Sequence, residues 1–410
     1  MEGRIITGLD IGTTKVCAVI VKEDLDGRLN VVGIGSSPSH GLRKGVVVNI
    51  DQTVNSIRRA VEEAETMAGV EVESVFVGIA GDHIRSLNSK GVVGVASDNH
   101  EITQEDVDRA ISAAKALALP IDREIIHVLP QEYIVDDQDG IHDPVGLSGV
   151  RLEVEVHLVT AAVTSAQNIV KSVEKAGYLV EDIVLEPLAS SLAVLDPDEK
   201  ELGVALLDFG GGTTDIAMFF EGHIRHTSVV ALGGQHVTND IAIGLRTPPD
   251  QAEEIKVKHG CALASMVGRD EMLTVPGVGG RSPRTISRSA LIDIIQPRME
   301  EILLLARQEM EKSDLLNLMA AGAVITGGGA ILPGTADLAE NLWGIPVKLG
   351  MPRYMGGLTD TIRSPIYSTA VGLTLYGHQE RGKSGPIQSG KKDLFETVQE
   401  RITRFFKKYF

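Results

Sequence analysis

The sequence has little cysteine, few aromatic residues and no long apolar run. Cys17 and Cys261 are the only cysteines among 410 residues, and both lie in apolar stretches. We therefore expect two reduced core thiols in a reducing compartment, not a disulfide framework. No apolar run reaches the ~18 residues that a transmembrane helix needs, and the N-terminus leads into a predicted strand without the apolar segment of a secretory signal. These absences predict a cytoplasmic protein.

The sequence has fewer basic than acidic residues, 39 against 56. Its formal net charge of −17 argues against nucleic acid as a partner, because a protein that binds nucleic acid needs a basic face. Glycine is abundant, at 44 residues, which suits an α/β chain with many tight turns between strands and helices. The length allows two to four domains of ordinary size.

The few phenylalanines are concentrated at the C-terminus, where half of the eight lie in the last 16 residues. A polar stretch with glycine and proline, 379–390, predicts a flexible linker. Residues 391–410 repeat apolar side chains at helical spacing with basic residues between them, which predicts an amphipathic helix that binds anionic membrane lipid. A terminal helix packed on the body is the alternative. The predicted membrane-binding residues are Leu394, Phe395, Val398, Ile402, Phe405, Phe406, Tyr409, Lys407 and Lys408.

Two short hairpins carry the strongest chemical signal. Predicted strands over 4–9 and 202–207 each lead into an aspartate followed by glycines and threonines, a pattern that brings backbone N–H groups close to phosphate oxygens. Two such hairpins facing each other could hold the β- and γ-phosphates of a nucleotide, with Asp10 and Asp208 as ligands of a hydrated Mg²⁺. The candidate residues are Asp10, Gly12, Thr13, Thr14, Lys15, Asp208, Gly210, Gly211, Gly212, Thr213 and Thr214.

A third glycine loop, Gly327-Gly328-Gly329, follows a predicted strand over 323–325 and can face an adenosine. The sequence contains no G-x-x-x-x-G-K-[ST] motif, which excludes a P-loop NTPase. Together the three loops resemble the phosphate-1, phosphate-2 and adenosine motifs of the actin-like ATPase superfamily. Longer stretches, such as 127–133 and 232–242, resemble the FtsA family of bacterial cell-division proteins, and this resemblance covers nearly the whole chain.

The resemblance implies an α/β fold with two lobes and four subdomains, one of them an FtsA-type insertion, with ATP and Mg in the central cleft and a C-terminal amphipathic helix. It also implies that Gly233 and Gly234 lie near the sugar and phosphates, and that Glu253 and Lys256 contact ribose or adenine. The implied subdomains are 1A (1–83, 162–195 and 363–378), the inserted 1C (84–161), 2A (196–227 and 300–362) and 2B (228–299).

The same resemblance implies a role in cell division. FtsA-like proteins assemble into filaments, bind the C-terminal tail of the tubulin-like FtsZ through subdomain 2B, and recruit later division proteins through subdomain 1C. Their terminal helix holds them, as peripheral proteins, to the inner face of the cytoplasmic membrane at the division site. The tail of this chain predicts the same attachment independently.

Enzymatic activity is expected to be slow or conditional at most. Glu186, in a Glu-Pro-Leu-Ala-Ser-Ser segment, is the candidate that orients a water for ATP hydrolysis. The alternative functions are a pilus-assembly adaptor of the PilM type, which lacks the terminal helix, and a small-molecule kinase, for which we find no second-substrate base.

Other conspicuous residues predict structural roles. Thr103 is the expected N-cap of a helix over 106–119, and His127 and His157 are expected to form structural hydrogen bonds. The segment 272–288, rich in glycine, proline and arginine, predicts an exposed loop in the second lobe.

Overall fold

The computed structural model describes residues 4–268, 271–353 and 355–383. The predicted membrane-binding helix, 391–410, lies outside the described residues. The last described helix ends at Lys383, so the first positions of the predicted linker, 379–383, are helical instead. Glutamine, glutamate and arginine in this stretch are good helix formers, and they continue the preceding helix. Among the described residues, we find no helix both long enough and apolar enough to span a bilayer.

The first lobe begins with an antiparallel meander. Its first two strands are apolar almost throughout, as expected for a sheet covered on both faces. The following helix begins at the N-cap Asn49, whose side chain accepts from the N–H of Gln52 at 3.1 Å, and ends at Gly69 in the left-handed conformation. The elements are β1 (Ile5–Ile11), β2 (Lys15–Glu23), β3 (Leu29–Pro38), β4 (Leu42–Arg43), β5 (Val46–Val47), α1 (Ile50–Ala68) and β6 (Ser74–Ile79).

An inserted subdomain follows β6. Thr103 caps its helix in a capping box with Asp106, which confirms the predicted cap. The helix ends at Lys115, earlier than predicted, and Pro120 disfavours helical backbone just before it. The elements are β7 (Arg85–Gly94), α2 (Gln104–Lys115), β8 (Arg123–Val135), β9 (Gln138–Ile141) and β10 (Arg151–Ala162). The four strands form a sheet of order β7-β10-β8-β9, and α2 packs on it.

The chain then returns to the first lobe and crosses to the second. The strand predicted over 202–207 begins at Val204, because Pro197–Leu202 forms a short helix that stops at Gly203. The elements are α3 (Val163–Ala176), β11 (Leu179–Leu185), α4 (Glu186–Val194), α5 (Pro197–Leu202), β12 (Val204–Phe209), β13 (Thr214–Phe220), β14 (His223–Val230), α6 (Gly234–Leu245), α7 (Pro249–His259), β15 (Met272–Val275), β16 (Arg284–Ser287), α8 (Arg288–Glu311), β17 (Ala323–Thr326), α9 (Thr335–Trp343) and β18 (Val347–Leu349).

The last elements complete the first lobe. They are β19 (Gly356–Gly357), α10 (Thr359–Ile362) and α11 (Ser368–Lys383). The first-lobe sheet has the order β11-β6-β1-β2-β3-β19 and the second-lobe sheet the order β14-β13-β12-β17-β18. The prediction placed residues 356–357 in 2A (300–362). They belong to the first lobe instead, because β19 pairs with β3.

Three further predicted boundaries fall inside regular elements, and the one between 161 and 162 separates the last two residues of β10. The boundary between 227 and 228 lies within β14, and the boundary between 299 and 300 lies within α8. The boundary between 299 and 300 does not separate two subdomains, because α8 packs on α6 and β16 as well as on α9 and β14. One contiguous apolar core joins these layers, so 2A and 2B share a core.

The segment 272–288 is a β-hairpin, not the predicted loop. Val275 pairs with Arg284 across it, and Val275 is fully buried while the alternate residues face outward. This period-two pattern is that of a half-buried strand, and the glycines and prolines lie only in the connection between β15 and β16.

The two cysteines and two of the histidines have the structural roles predicted for them. Cys17 and Cys261 are buried and unpaired. His127 accepts a hydrogen bond from the backbone N–H of Leu185 at 2.9 Å. His157 is buried between Asn88 and a threonine of β14.

The inserted subdomain also contacts the second lobe through β14. The hydroxyl of Ser86 donates to the carbonyl of Thr227 at 2.9 Å, and a ring nitrogen of His157 lies 3.0 Å from the Thr227 hydroxyl. The amide of Gln131 donates to the carbonyl of Ile224 at 2.9 Å. The insertion is therefore part of the first lobe by chain connection and hydrogen-bonded to the second.

Candidate functional site

The structure brings the two predicted hairpins face to face between the lobes. The first turn is closed by the N–H of Gly12, which donates to the carbonyl of Lys15 at 3.0 Å, and the second by an equivalent bond from Gly210. A β-carbon on Gly212 would lie 2.5 Å from the hydroxyl oxygen of Thr13. Only glycine fits at this approach, so the spacing of the hairpins depends on it.

A cavity of about 150 Å³ lies between the hairpins. Thirteen predicted site residues line it, namely Asp10, Gly12, Thr13, Thr14, Lys15, Glu186, Asp208, Gly210, Gly211, Gly212, Thr213, Gly327 and Gly328. The residues that the sequence analysis missed are Ile11, Gly45, Ala80, Asp215, Pro365, Ile366 and Thr369.

Four acidic side chains meet at this cavity. Burial raises the pKa of Asp10 to about 7, an effect that Lys15 opposes and Asp208 reinforces. Burial also raises the pKa of Asp215 to about 7 and that of Glu186 well above its usual range, and in both cases neighbouring carboxylates add to the effect. So much negative charge in a buried space favours a cation.

Glu186 is held by the elements on either side of it. It is the first residue of α4, which follows β11 without a loop. A β-carbon on Gly78 of β6 would lie 2.9 Å from the Glu186 side chain, so glycine at that position leaves room for the carboxylate. The hydrogen bond from Leu185 to His127 fixes the backbone immediately before it.

Asp208 is positioned by three neighbours. The Thr369 hydroxyl donates to its carboxylate at 2.9 Å, which offsets part of the increase in pKa that burial causes. A β-carbon on Gly327 would lie 2.5 Å from the other carboxylate oxygen, so the glycine loop after β17 packs directly on it. Ser190 of α4, which is fully buried, lies near Asp208 and also lowers the pKa of its carboxyl.

Asp215 is the main residue that the sequence analysis missed. The Thr213 hydroxyl donates to one of its carboxylate oxygens at 2.9 Å. The other oxygen is buried without a hydrogen-bond partner in the described residues. The available signal was the aspartate that ends the Asp208-to-Asp215 segment. It lies at the start of β13, and the sequence analysis did not include it among the candidate residues.

Lys15 supplies a positive charge to the cavity wall. Its ammonium donates to the carbonyl of Ile366 at 2.9 Å and lies 4.7 Å from the centre of the Tyr367 ring. Both contacts come from the segment before α11, and they fix the side chain beside Asp10.

Some predicted residues do not line the cavity. The hydroxyl of Thr214 donates to the Leu232 carbonyl, and Gly329 packs on the ring of Phe209. The N–H of Gly234 donates to the carbonyl of Gly210 at 3.0 Å, so the Gly233-Gly234 turn is bonded to the second hairpin.

Glu253 and Lys256 bind each other, with 2.7 Å between carboxylate and ammonium. Lys256 also donates to the carbonyl of Gly234 at 3.1 Å. The pair therefore supports the start of α6 and stays partly accessible, since 47% of the Glu253 side chain is exposed.

The acidic residues fit a hydrated magnesium ion better than a fully coordinated metal. Within the part of the chain that the structure describes, no three histidine, cysteine, aspartate or glutamate side chains are grouped closely enough to ligate one ion together. Mg²⁺ typically takes one or two carboxylates and completes its shell with water and phosphate oxygens. Asp10 and Asp208 are suited to that role.

The buried imidazole of His127 should make stability depend on pH. Burial lowers the pKa of His127 to about 4, below the value of about 6.5 in an unfolded chain. The stability due to its neutral form is complete above pH 6.5 and is lost as the pH falls toward 4, by up to roughly 3 kcal/mol. Urea unfolding of wild type and His127→Gln at pH 7.5 and 4.5 measures this, and the wild type should lose more stability. Equal losses would contradict the assignment.

Comparison with known proteins identifies relatives along the whole chain. The family model for cell division protein FtsA matches residues 205–372, and the model for the SHS2 domain inserted in FTSA matches residues 81–160. The cell division protein FtsA of Pseudomonas aeruginosa is 52% identical over 409 residues, which cover 98% of each chain. The FtsA of Escherichia coli K12 is 44% identical over 92% of this chain and 91% of that protein.

Solved structures share the fold at much lower sequence identity. A chain of a PilM-PilN type IV pilus biogenesis complex aligns with a TM-score of 0.66 at 18% identity and covers 91% of this chain and 98% of its own length. MreB5 of Spiroplasma citri bound to ADP aligns with a TM-score of 0.58 at 15% identity over 95% of this chain and 100% of its own length. These likenesses, with the two family models, confirm the predicted actin-like, two-lobed α/β fold with an FtsA-type insertion. The extent and identity of the sequence relatives show that the chain belongs to the FtsA family of cell division proteins.

Proposed function

We propose that the chain binds ATP with Mg²⁺ in the cavity between its two hairpins. The observation that carries this proposal is the pairing of two Asp-Gly-Thr hairpins from different lobes around one acidic cavity. Hairpin N–H groups suit phosphate oxygens, and Asp10 and Asp208 suit a hydrated Mg²⁺. MreB5 of Spiroplasma citri, which shares the fold, has been solved with ADP and with AMPPNP, and this supports a nucleotide in the same cleft.

In this proposal the other predicted residues contact different parts of the nucleotide. Thr13, Thr14, Gly211 and Gly212 contact phosphate, Gly327 and Gly328 face the adenosine, and Glu253 and Lys256 lie at the ribose or base. Bound Mg²⁺ supplies charge neutralisation at the phosphates. The chain itself orients the phosphates, limits access of water and, through Glu186, holds a carboxylate that can accept a proton from an attacking water. Hydrolysis is slow or conditional.

We also propose that the chain links FtsZ filaments to the membrane during cell division. Membership of the FtsA family supports this role, and the terminal amphipathic pattern supports peripheral attachment to the inner face of the cytoplasmic membrane at the division site. Subdomain 2B binds the FtsZ C-terminal tail, the insertion recruits later division proteins, and the chain assembles into filaments. Failure of an FtsZ tail peptide to bind the full chain would contradict the first of these interactions.

The sequence relatives favour this role over a PilM-like adaptor. The PilM chain shares 18% identity with this chain, whereas division proteins share 42% to 52% over nearly the whole length. No observation among the described residues supports a small-molecule kinase.

Nucleotide binding can be tested by isothermal titration of the full chain with ATP. We expect affinity in Mg²⁺ to exceed affinity in EDTA by at least about tenfold, since the buried carboxylates oppose a phosphate anion unless a cation lies between them. Equal affinities in the two conditions, or no binding in either, would contradict the proposed site.

A further inference from the structure

A two-residue turn joins β4 to β5 beside the cavity. Lys44 has φ = 51° and Gly45 has φ = 77°, and Arg43 pairs with Val46 across them, which is the pattern of a type I′ turn. Such turns favour asparagine or glycine at the first central position, because other side chains are strained in the left-handed region. Lysine at this position conflicts with its backbone, and conflicts of this kind concentrate at ligand-binding sites.

The turn is fixed to the wall of the cavity. The N–H of Gly45 donates to the hydroxyl of Thr13 at 3.1 Å, and Gly45 itself lines the cavity. A β-carbon on Gly45 would lie 2.6 Å from the carbonyl oxygen of Ala80, so the loop after β6 packs closely against the other side of the turn. Lys44 is thereby held one residue from the wall.

The positive charge of Lys44 acts on the second lobe. Burial lowers the pKa of His236, in the first turn of α6, and the charge of Lys44 lowers it further. Lys44 is therefore within electrostatic range of the start of α6. His236 is itself held by the N–H of Gly233, which donates to its ring nitrogen at 3.1 Å.

Lys44 differs from the other two lysines near the cavity in that its ammonium is not paired with any described residue. Lys15 is bonded to the Ile366 carbonyl, and Lys256 is paired with Glu253. Residue Lys44 is half-buried, and its ammonium takes part in no ion pair or hydrogen bond found among the described residues. A polyphosphate that enters an acidic cavity needs more positive charge than Lys15 and one Mg²⁺ supply.

We infer that Lys44 binds the terminal phosphate of the nucleotide and makes the site favour ATP over ADP. The inference rests on the proposed function and adds the residue that distinguishes the two nucleotides. A charge-assisted contact to the γ-phosphate is present with ATP and absent with ADP, and contacts of this kind change affinity by about 10- to 100-fold. Asparagine or glycine would be less strained than lysine at position 44 of the turn. The lysine instead supplies a positive charge beside the cavity.

The test compares three variants of the full chain by titration with ATP and with ADP in Mg²⁺. Lys44→Asn removes the charge and installs the residue that the turn favours, so its melting temperature without nucleotide should equal or exceed that of wild type. Lys44→Arg keeps the charge. Arg246→Asn is the matched control, because Arg246 is also a cation in the left-handed region (φ = 46°) but lies outside the cavity wall.

We expect Lys44→Asn to lose about tenfold or more in affinity for ATP and to keep its affinity for ADP within about twofold. Lys44→Arg should retain most of the preference for ATP, and Arg246→Asn should bind both nucleotides as wild type does. An unchanged ratio of ATP to ADP affinity in Lys44→Asn would overturn the inference while leaving the site intact. Wild type that binds neither nucleotide would instead overturn the proposed function, and the inference with it.

Discussion

Replacing Asp208 with asparagine should reduce the affinity for Mg²⁺-ATP by about 100-fold or more. Asparagine has nearly the same shape and can still accept the hydrogen bond from the Thr369 hydroxyl, which lies 2.9 Å from the carboxylate. What it removes is the negative charge that the proposed Mg²⁺ requires. Titration of the full chain with ATP in Mg²⁺ measures the loss.

The same substitution should leave the nucleotide-free protein as stable as wild type or more so. Burial raises the pKa of Asp208, which means that the folded protein disfavours its charged form at neutral pH. Removing the charge relieves that penalty. The expected pattern is therefore weaker nucleotide binding without lower stability, and unfolding in urea at pH 7.5 separates the two effects.

A suitable control removes a carboxylate from the same lobe outside the cavity. Asp240 pairs with Arg298 on the surface of α6, and Asp240→Asn should bind Mg²⁺-ATP as wild type does. Unchanged affinity in Asp208→Asn, or an equal loss in both variants, would show that Asp208 holds no metal ion.

Replacing Phe405 and Phe406 together with glutamate should abolish binding to vesicles that contain anionic lipid. The predicted terminal helix carries six basic and three acidic residues between 391 and 410, a local charge of +3. Each buried phenylalanine contributes about 1.5–3 kcal/mol to insertion, and each basic residue near anionic lipid adds about 1 kcal/mol. Losing both aromatic side chains and gaining two negative charges removes most of this attraction.

Sedimentation with phosphatidylglycerol-containing vesicles tests the tail. Thr397→Glu with Thr403→Glu is the matched control, since it makes the same change in charge at two positions that helical spacing places off the apolar stripe. We expect the control to sediment partly and the phenylalanine variant to remain in solution. FtsZ added to the vesicles should sediment only with variants that bind. Equal behaviour of the two variants would mean that charge alone, not an inserted apolar face, controls attachment.

Local patterns predicted the hairpins well because their chemistry is local. Aspartate, glycine and threonine in a short segment between apolar strands already specify a tight turn with exposed N–H groups, and both turns form where the sequence indicated. Asp215 was missed because its importance depends on its proximity to Glu186 and Asp208. Glu186 is distant in sequence, and Asp208 lies on the neighbouring strand. Proximity of that kind is a property of the fold and not of the segment.

The subdomain boundaries were harder to predict for a related reason. The predicted boundaries were taken from the family that the sequence resembles, whereas the boundaries in the structure follow from which elements share a hydrophobic core. α8 is long enough to pack against two layers, so a boundary within it has no physical meaning. Glu253 and Lys256 show the same limitation, since helical spacing places them on one face but does not reveal that they bind each other beneath the start of α6.

The contacts between the inserted subdomain and β14 have a mechanical consequence. Ser86 and His157 both bond to Thr227, so the angle between the lobes cannot change without breaking or remaking those bonds. A partner that bound the insertion in only one of these arrangements would therefore also favour one arrangement of the cleft. If the proposed nucleotide bound the same arrangement more tightly, thermodynamic reciprocity would require that the partner and the nucleotide change each other's affinity by the same factor.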